Sequence, residues 1–243
     1  MNDKKFESRN KQKINSMIKD KIFLDKGKSW FKDSWNYEYI YHFNWLGLPI
    51  IQLPQDIIAL QEIIWKVKPD LIIETGVARG GSVIFSASIL NLLGKGEVIG
   101  IDIDIRTNNR KAIEKHPLSN KITLIQGSSI SKKIINQVYK IAKNKKNILV
   151  FLDSHHTHKH VLQELQLFSP LVRKGSYVIV FDTLVEDYPK NFFTNRPWNV
   201  GNNPKTAVHE FLKHNKRFKI DKSLENKLAI TSNPDGFLRC IKN

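Results

Sequence analysis

The sequence predicts an α/β protein of the doubly wound kind, with a mostly parallel sheet and an antiparallel C-terminal strand. Three observations carry this. Apolar runs rich in Val and Ile recur as DLIIETG, GEVIGIDID (96–104), KITLIQGS (121–128), NILVFLDS (147–154) and SYVIVFDT (176–183). Helical stretches at 82–93, 107–116, 131–143 and 158–172 lie between them. After the fifth run the pattern changes to one helix and two further strands. Short continuous apolar runs suit strands covered on both faces, and strands alternating with helices build a parallel sheet through right-handed crossovers.

Taken in order, residues 1–28 are polar and basic, with only Ile14, Met17, Ile18 and Phe23 giving a weak helical stripe. A basic arm over 1–32 is expected, followed by a single domain over 33–243. The stretch WFKDSWNYEYIYHFNWLGL (30–48) is unusually aromatic and reads either as a hydrophobic clasp or as a pocket wall. A helix, QDIIALQEIIWKV, leads from Pro54 to Pro69 and into the first strand. In the C-terminal part Asn203 and Pro204 form an N-cap and first-turn proline for the helix KTAVHEFLKHN. RFKIDKS and LAITSNPDGFLRC are the two strands expected to close the sheet. The long connection LVEDYPKNFFTNRPWNVGNN (184–203) carries Phe192, Phe193 and Trp198, which are costly to leave in water. It reads as a lid over an acceptor, or as a surface covered by a second copy of the chain in a homo-oligomer.

Composition bounds the function. Of 243 residues, 39 are Lys or Arg and 23 Asp or Glu, a formal net charge of +16. The lysines are spread along the chain rather than clustered, so a solvated surface is favoured over a nucleic-acid footprint. The single cysteine, Cys240, excludes an intramolecular disulfide and a cysteine-only zinc site. No apolar run approaches the roughly 20 residues of a membrane span, and the N-terminus has no apolar signal core; a cytoplasmic protein is expected.

The chemistry concentrates at the strand ends. After the first strand comes Glu74-Thr75-Gly76-Val77-Ala78-Arg79-Gly80-Gly81-Ser82. A dinucleotide loop would need glycine at position 78, and a phosphate loop would need a lysine before Ser82. The spacing instead resembles the first motif of S-adenosylmethionine-dependent methyltransferases, whose cofactor has no pyrophosphate but carries a sulfonium and an ammonium that a strand-end carboxylate favours. Asp102, with Asp104 as second choice, ends the second strand where a carboxylate can accept ribose hydroxyls. Gln126-Gly127-Ser128-Ser129 ends the third, with short side chains that suit an adenine slot. The expected cofactor contacts are Glu74, Gly76, Gly80, Gly81, Ser82, Asp102, Ser128 and Asp153.

The fourth strand ends in Asp153, followed by Ser154-His155-His156-Thr157-His158-Lys159-His160, and the fifth ends in Asp182, with Glu186 and Asp187 beyond. Carboxylates from adjacent strand ends make a hard-cation site suited to magnesium. Zinc held by His156 and His160, four apart on one helical face, is the competing reading. Transfer to a hydroxyl needs the oxygen partly deprotonated, which a metal or a base must assist. His155 or His156 would be that base, with His156, one residue further from the strand end, expected to matter less. No Asn or Asp followed by Pro-Pro-aromatic follows the fourth strand, which argues against a base-modifying nucleic-acid enzyme.

The blocks FNWLGLPIIQLPQDI, IIETGVARGGSVIFSASIL, VFLDSHHTHKHVLQELQLFSPLV, VIVFDT and RPWNVGNNPKTAVHEFL resemble the cephalosporin hydroxylase family, also called the rhamnosyl O-methyltransferase family, over about residues 40–240. The resemblance implies a Rossmann-like methyltransferase fold, bound S-adenosylmethionine and often magnesium at acidic strand ends. It maps Glu74, Gly76 and Gly80 to the cofactor loop, Asp102 to the ribose and Asp153 and Asp182 to the metal. One departure stands out: the antibiotic-pathway member has two adjacent acidic residues at the end of the fifth strand, where this chain has Phe181-Asp182. Such a site would bind metal more weakly or recruit Glu186 or Asp187. A non-haem iron oxygenase is disfavoured because no His-x-Asp or His-x-Glu occurs. The function expected is O-methyl transfer to a sugar hydroxyl of a glycan, glycolipid or secondary metabolite; an RNA methyltransferase and a non-catalytic cofactor-binding protein are the rivals.

Overall fold

A computed structural model describes residues 3–190 and 192–243; the first two residues of the expected arm and residue 191 of the expected lid lie outside it. Two helices come first, α1 (Asp3–Met17) and α2 (Lys21–Trp35), then a small hairpin of β1 (Asn44–Trp45) and β2 (Leu48–Pro49). Next come α3 (Pro54–Val67), β3 (Leu71–Thr75), α4 (Gly81–Leu92), β4 (Glu97–Asp102), α5 (Thr107–Glu114), β5 (Ile122–Gln126), α6 (Lys132–Ala142), β6 (Ile148–Leu152), α7 (His158–Phe168) and β7 (Tyr177–Val180). The chain ends with α8 (Pro204–His214), β8 (Phe218–Ile220), α9 (Lys222–Glu225) and β9 (Phe237–Cys240).

The large sheet has seven strands in the order β5-β4-β3-β6-β7-β9-β8. β5, β4, β3, β6 and β7 are parallel, and β9 pairs antiparallel with both β7 and β8. Side chains along a strand alternate between faces, and two core clusters follow from that. Ile72, Leu149, Phe151 and Ile179 pack with α3 and α4. Leu71, Ile73, Val150 and Val178 pack with α6, α7 and α8. Helices therefore cover both faces of the sheet, as the unbroken apolar runs require.

Several boundaries differ from the sequence reading, each for a local reason. α2 runs through position 32 to Trp35, because Asp20 caps its start by accepting from the Phe23 N–H at 3.0 Å and Phe31 is buried. The arm is thus two helices, and the second belongs to the folded body. α7 stops at Phe168, since Pro170 diverts the chain into a short 3-10 turn. The expected strand LAITSNPDGFLRC is strand only from Phe237 onward. Its first half is held as a turn by side-chain hydrogen bonds that compete with a ladder. Asp56 of α3 accepts from the Thr231 hydroxyl, from the Ser232 N–H at 2.9 Å and from the Ser232 hydroxyl at 2.6 Å. Among the described residues, no helix is long and apolar enough to cross a membrane.

Burial pushes the Asp56 carboxyl up to about 6, against the pull of its serine and threonine donors. The folded state therefore holds this proton more tightly than the unfolded chain. The resulting stabilisation is complete below the ordinary carboxylate range and is lost as pH rises through about 6. Asp56→Asn should flatten the decline in thermal stability between pH ~4 and ~7 by an amount equivalent to about 1–3 kcal/mol. Parallel melting-temperature curves for wild type and variant would refute this.

Candidate active site

The parallel ladder brings the chemistry to one rim. The pairings Thr75↔Ile101, Thr75↔Leu152 and Leu152↔Val180 leave the ends of β4, β3, β6 and β7 in register. Asp102, Gly76, Asp153 and Asp182 follow from those ends. All four line a cavity of ≈ 550 Å³ at the carboxyl edge of the sheet, where open α/β sheets bind their ligands.

The glycine loop is fixed by close approach. Gly76 has φ +90°, and a Cβ there would meet the Asp153 carbonyl oxygen at 1.9 Å. Gly81, at the start of α4, lies against the hairpin, where a Cβ would sit 2.3 Å from the Pro49 oxygen. Asp102 braces the same loop. Its Oδ2 accepts the Val77 N–H at 2.8 Å and the Ala78 N–H at 3.2 Å, and its Oδ1 accepts the Asp104 N–H at 3.0 Å. The sequence did not reveal this bracing. Oδ2 is thus engaged twice, while Oδ1 accepts once and keeps acceptor capacity in the cavity that Asp102 lines.

Glu74 lies behind the cavity wall, 2% exposed. Its Oε1 accepts from the Ser82 hydroxyl, while its Oε2 is buried without a partner. Burial pushes this carboxyl up to about 7, with the Ser82 hydrogen bond opposing. Gly80, Gly81 and Ser82 shape the loop and do not themselves line the cavity, whereas Ser128 does.

Asp153, His156 and Asp182 each offer a ligand atom, and these atoms lie within 4.8 Å of one another. His156 Nε2 stands 3.4 Å from Asp182 Oδ2 and 3.8 Å from Asp153 Oδ1. Burial raises the Asp153 carboxyl well above the usual range, and Asp182, Glu74 and Glu164 add like-charge repulsion; the Gln52 side chain opposes them with a hydrogen bond. Burial likewise lowers His156, against the pull of Asp182, which favours a neutral imidazole. Asp182 has φ +54°, a left-handed conformation that is uncommon outside glycine, and its N–H is held by Asn233 Oδ1 at 3.1 Å. Strain of this kind gathers at functional sites.

The geometry gives the two adjacent histidines different surroundings. His156 is wedged between the carboxylates, whereas His155 is exposed and bonds Thr157 Oγ1 through Nδ1 at 3.0 Å. His160 contacts Ser129 Oγ at 3.1 Å and Glu164 at 3.5 Å, so it is turned away from the His156 cluster and the zinc pairing does not form. Glu186 and Asp187 are not brought to the cluster either. Glu186 accepts from the Asn203 side chain and from the Gly201 N–H at 2.8 Å, tying the long connection to the start of α8. Asp187 pairs with Lys205 at 2.6 Å. Phe181 is buried against Phe151, their centroids 6.0 Å apart, so the position has become part of the core.

One cavity residue was missed in the sequence. Gln52 is a polar residue inside the apolar run before α3, and that is the signal which could have found it. Trp198, on the long connection, sets its ring edge-on to His156 at 4.9 Å. That connection packs on α2 and the aromatic segment: Phe31, Leu53, Leu184, Val185 and Phe193 form a third core, joined by Trp35 and Tyr188.

Comparisons with known proteins come from both sequence and structure. The family model described as Rhamnosyl O-methyltransferase/CmcI matches residues 37–241. The chain is 30% identical to a rhamnosyl O-methyltransferase of Mycobacterium tuberculosis over 199 residues, covering 80% of this chain and 76% of that protein. It is similar in fold to the apo structure of CmcI-N160, with a TM-score of 0.57 and 18% identity over 84% of this chain and 78% of that one. It also resembles the O-methyltransferase TomG from Streptomyces achromogenes, with a TM-score of 0.55 and 16% identity over 78% and 80% of the two chains.

The Asp153–Asp182 pair makes a stability prediction. Without a cation, Asp182→Asn removes a like-charge neighbour and keeps a residue that tolerates the left-handed backbone. The variant should be more stable than wild type in chelator by a small amount, on the order of 0.5–1 kcal/mol, because the cavity admits water. Added magnesium or manganese should raise the melting temperature of wild type only. A variant less stable than wild type in chelator would show that the pair is not repulsive.

Proposed function

We propose, from the premise that the chain belongs to the Rhamnosyl O-methyltransferase/CmcI family, that it methylates a sugar hydroxyl with the help of a divalent cation. As a member of that family it is an S-adenosylmethionine-dependent O-methyltransferase. The observation that carries the finer reading is the convergence of Asp153, His156 and Asp182 beside the glycine loop.

The residues fit both groups. Glu74 keeps a buried, unpartnered carboxylate oxygen near Asp153, a place that favours a cationic ligand such as a sulfonium or ammonium. Asp102 and Ser128 line the side of the cavity suited to a ribose and a base. The methyl group comes from S-adenosylmethionine. Asp153, Asp182 and His156 would hold magnesium or a similar cation, whose Lewis acidity makes a ligating hydroxyl easier to deprotonate.

The remaining work falls to the protein. The backbone turn at Gly76 and the Asp102 brace hold the loop, so that a cofactor and an acceptor meet in one orientation. Phe31, Trp35, Phe193 and Trp198 wall the cavity, and a bound acceptor packed against them would displace water from the reacting oxygen. His155 lines the cavity, and in the tautomer whose Nδ1–H donates to Thr157 Oγ1 its Nε2 is left as the base that would take the hydroxyl proton. The cavity's size and aromatic wall suit a single sugar ring or small acceptor better than a nucleic-acid duplex.

Two measurements test this. Calorimetry should register binding of S-adenosylhomocysteine and none of NAD, and Asp102→Ala should weaken binding by about 1–3 kcal/mol. Methyl transfer to rhamnosyl and related glycoside acceptors should stop in excess chelator. Asp153→Asn should likewise abolish turnover while leaving cofactor affinity largely intact. Undiminished transfer in chelator would remove the metal and leave His155 acting alone.

A further inference from the structure

The acidic groups at the cavity contrast with a single cation. Among the described residues lining it, Arg196 is the one arginine or lysine, against Asp102, Asp153 and Asp182. Its guanidinium carbon lies 5.3 Å from the centroid of the Trp198 ring, and it makes no ion pair with a described carboxylate. Trp198 in turn stands edge-on to His156 of the carboxylate cluster. A guanidinium, an indole and an imidazole thus form one column from the cavity mouth to the cluster. Arg196 is also close enough to help lower the His156 pKa.

We propose that Arg196 and Trp198 form an acceptor subsite for an anionic sugar, one whose carboxylate or phosphate pairs with Arg196 while its ring lies along Trp198 and its hydroxyl points at Asp153 and Asp182. This rests on the methyltransferase reading and adds the chemical class of the acceptor. An arginine placed over an indole ring keeps N–H donors available to a carboxylate or phosphate, which a guanidinium recognises in bidentate fashion. Three carboxylates in the wall repel an anionic ligand everywhere except beside Arg196. The same charges that admit the acceptor therefore also orient it, with the anion at the mouth and the hydroxyl inward.

The cofactor also carries a carboxylate, and position separates the two sources. The glycine loop serves the cofactor side, where Gly76, Ala78 and Asp102 line the cavity. Arg196 belongs to the long connection after β7 and contacts Trp198 and, electrostatically, His156. Other aromatic residues of the same cavity, Phe31, Trp35 and Tyr41, supply apolar surface for a sugar ring.

The test is a titration of the full chain saturated with S-adenosylhomocysteine and magnesium, followed by tryptophan fluorescence and ligand-observed NMR. The probes are D-glucuronate, D-glucose 1-phosphate and neutral methyl glucoside. Wild type should bind at least one anionic sugar about ten-fold or more tightly than the neutral one, and the stronger of the two identifies carboxylate or phosphate as the anion. Arg196→Gln should erase the preference and leave both S-adenosylhomocysteine affinity and melting temperature unchanged, while Arg196→Lys should keep part of it. Equal binding of charged and neutral sugars, or no binding of either anionic sugar, overturns the proposal. A matching loss of S-adenosylhomocysteine affinity in Arg196→Gln overturns it too, by assigning the guanidinium to the cofactor. Failure of wild type to bind S-adenosylhomocysteine would strike the methyltransferase reading first, and this one with it.

Discussion

Negative charge gathered in the dry end of a parallel sheet is expensive, and much of this molecule is arranged around it. Glu74, Asp153 and Glu164 are carboxyls at or behind one rim, with Asp182 facing them. Water would solvate such groups cheaply, and a protein interior does so only through hydrogen bonds or counter-charges. Ser82, Gln52, Ser129 and Ser154 supply some of the hydrogen bonds. Among the described residues Arg196 is the one lysine or arginine lining the cavity, and it forms no ion pair with these carboxylates, so neutralisation is left to protons or to cationic ligands. A positively charged cofactor and a metal cation are chemically the complements of this deficit. The site is therefore less stable empty than occupied, and ligand binding recovers what folding gave up.

Holding the carboxylates at the required separation falls to backbone devices distant from them in sequence. The α3 carboxylate Asp56 captures Thr231 and Ser232, the adjoining Asn233 captures the Asp182 N–H, and Asp182 is kept in its left-handed conformation. On the other side Gly76 lets the first strand pass against the Asp153 carbonyl with no room for a side chain. One carboxylate is thus set by a polar chain that starts in α3, and the other by a backbone approach that leaves no room for a Cβ at Gly76. A substitution at Ser232 or Asn233 would move Asp182 without touching the cavity chemistry directly.

How much of this was legible in the sequence depended on whether the signal was local. The β-branched runs and the helices between them are periodic, so the parallel strands and the Gly76-to-Ser82 turn could be read directly. Asp102, Asp153 and Asp182 were placed at one rim because consecutive strand ends in a parallel sheet must lie together. What failed was non-local. Glu186 and Asp187 stand two turns beyond Asp182 in sequence, yet Asn203, Gly201 and Lys205 draw them away. His155 and His156 are adjacent, and only the direction in which the chain leaves β6 decides which one enters the carboxylate cluster. The strand assigned to 228–240 forms only from Phe237, because Asp56, 175 residues away from Thr231, holds its first part as a hydrogen-bonded loop.

The aromatic layer carries the last step of the argument. Phe31, Leu53, Leu184, Val185 and Phe193 form a core distinct from the two that sandwich the sheet. Its residues come from α2, the segment before α3 and the connection after β7. Those pieces meet over the cavity and nowhere else in the sheet's ladder. The cofactor side is built from strand ends whose positions the sheet dictates, so changes there are felt by the whole fold. The aromatic side is built from segments whose packing is largely their own. A change at Arg196 or Trp198 therefore leaves the Gly76 turn and the Asp153–Asp182 pair in place.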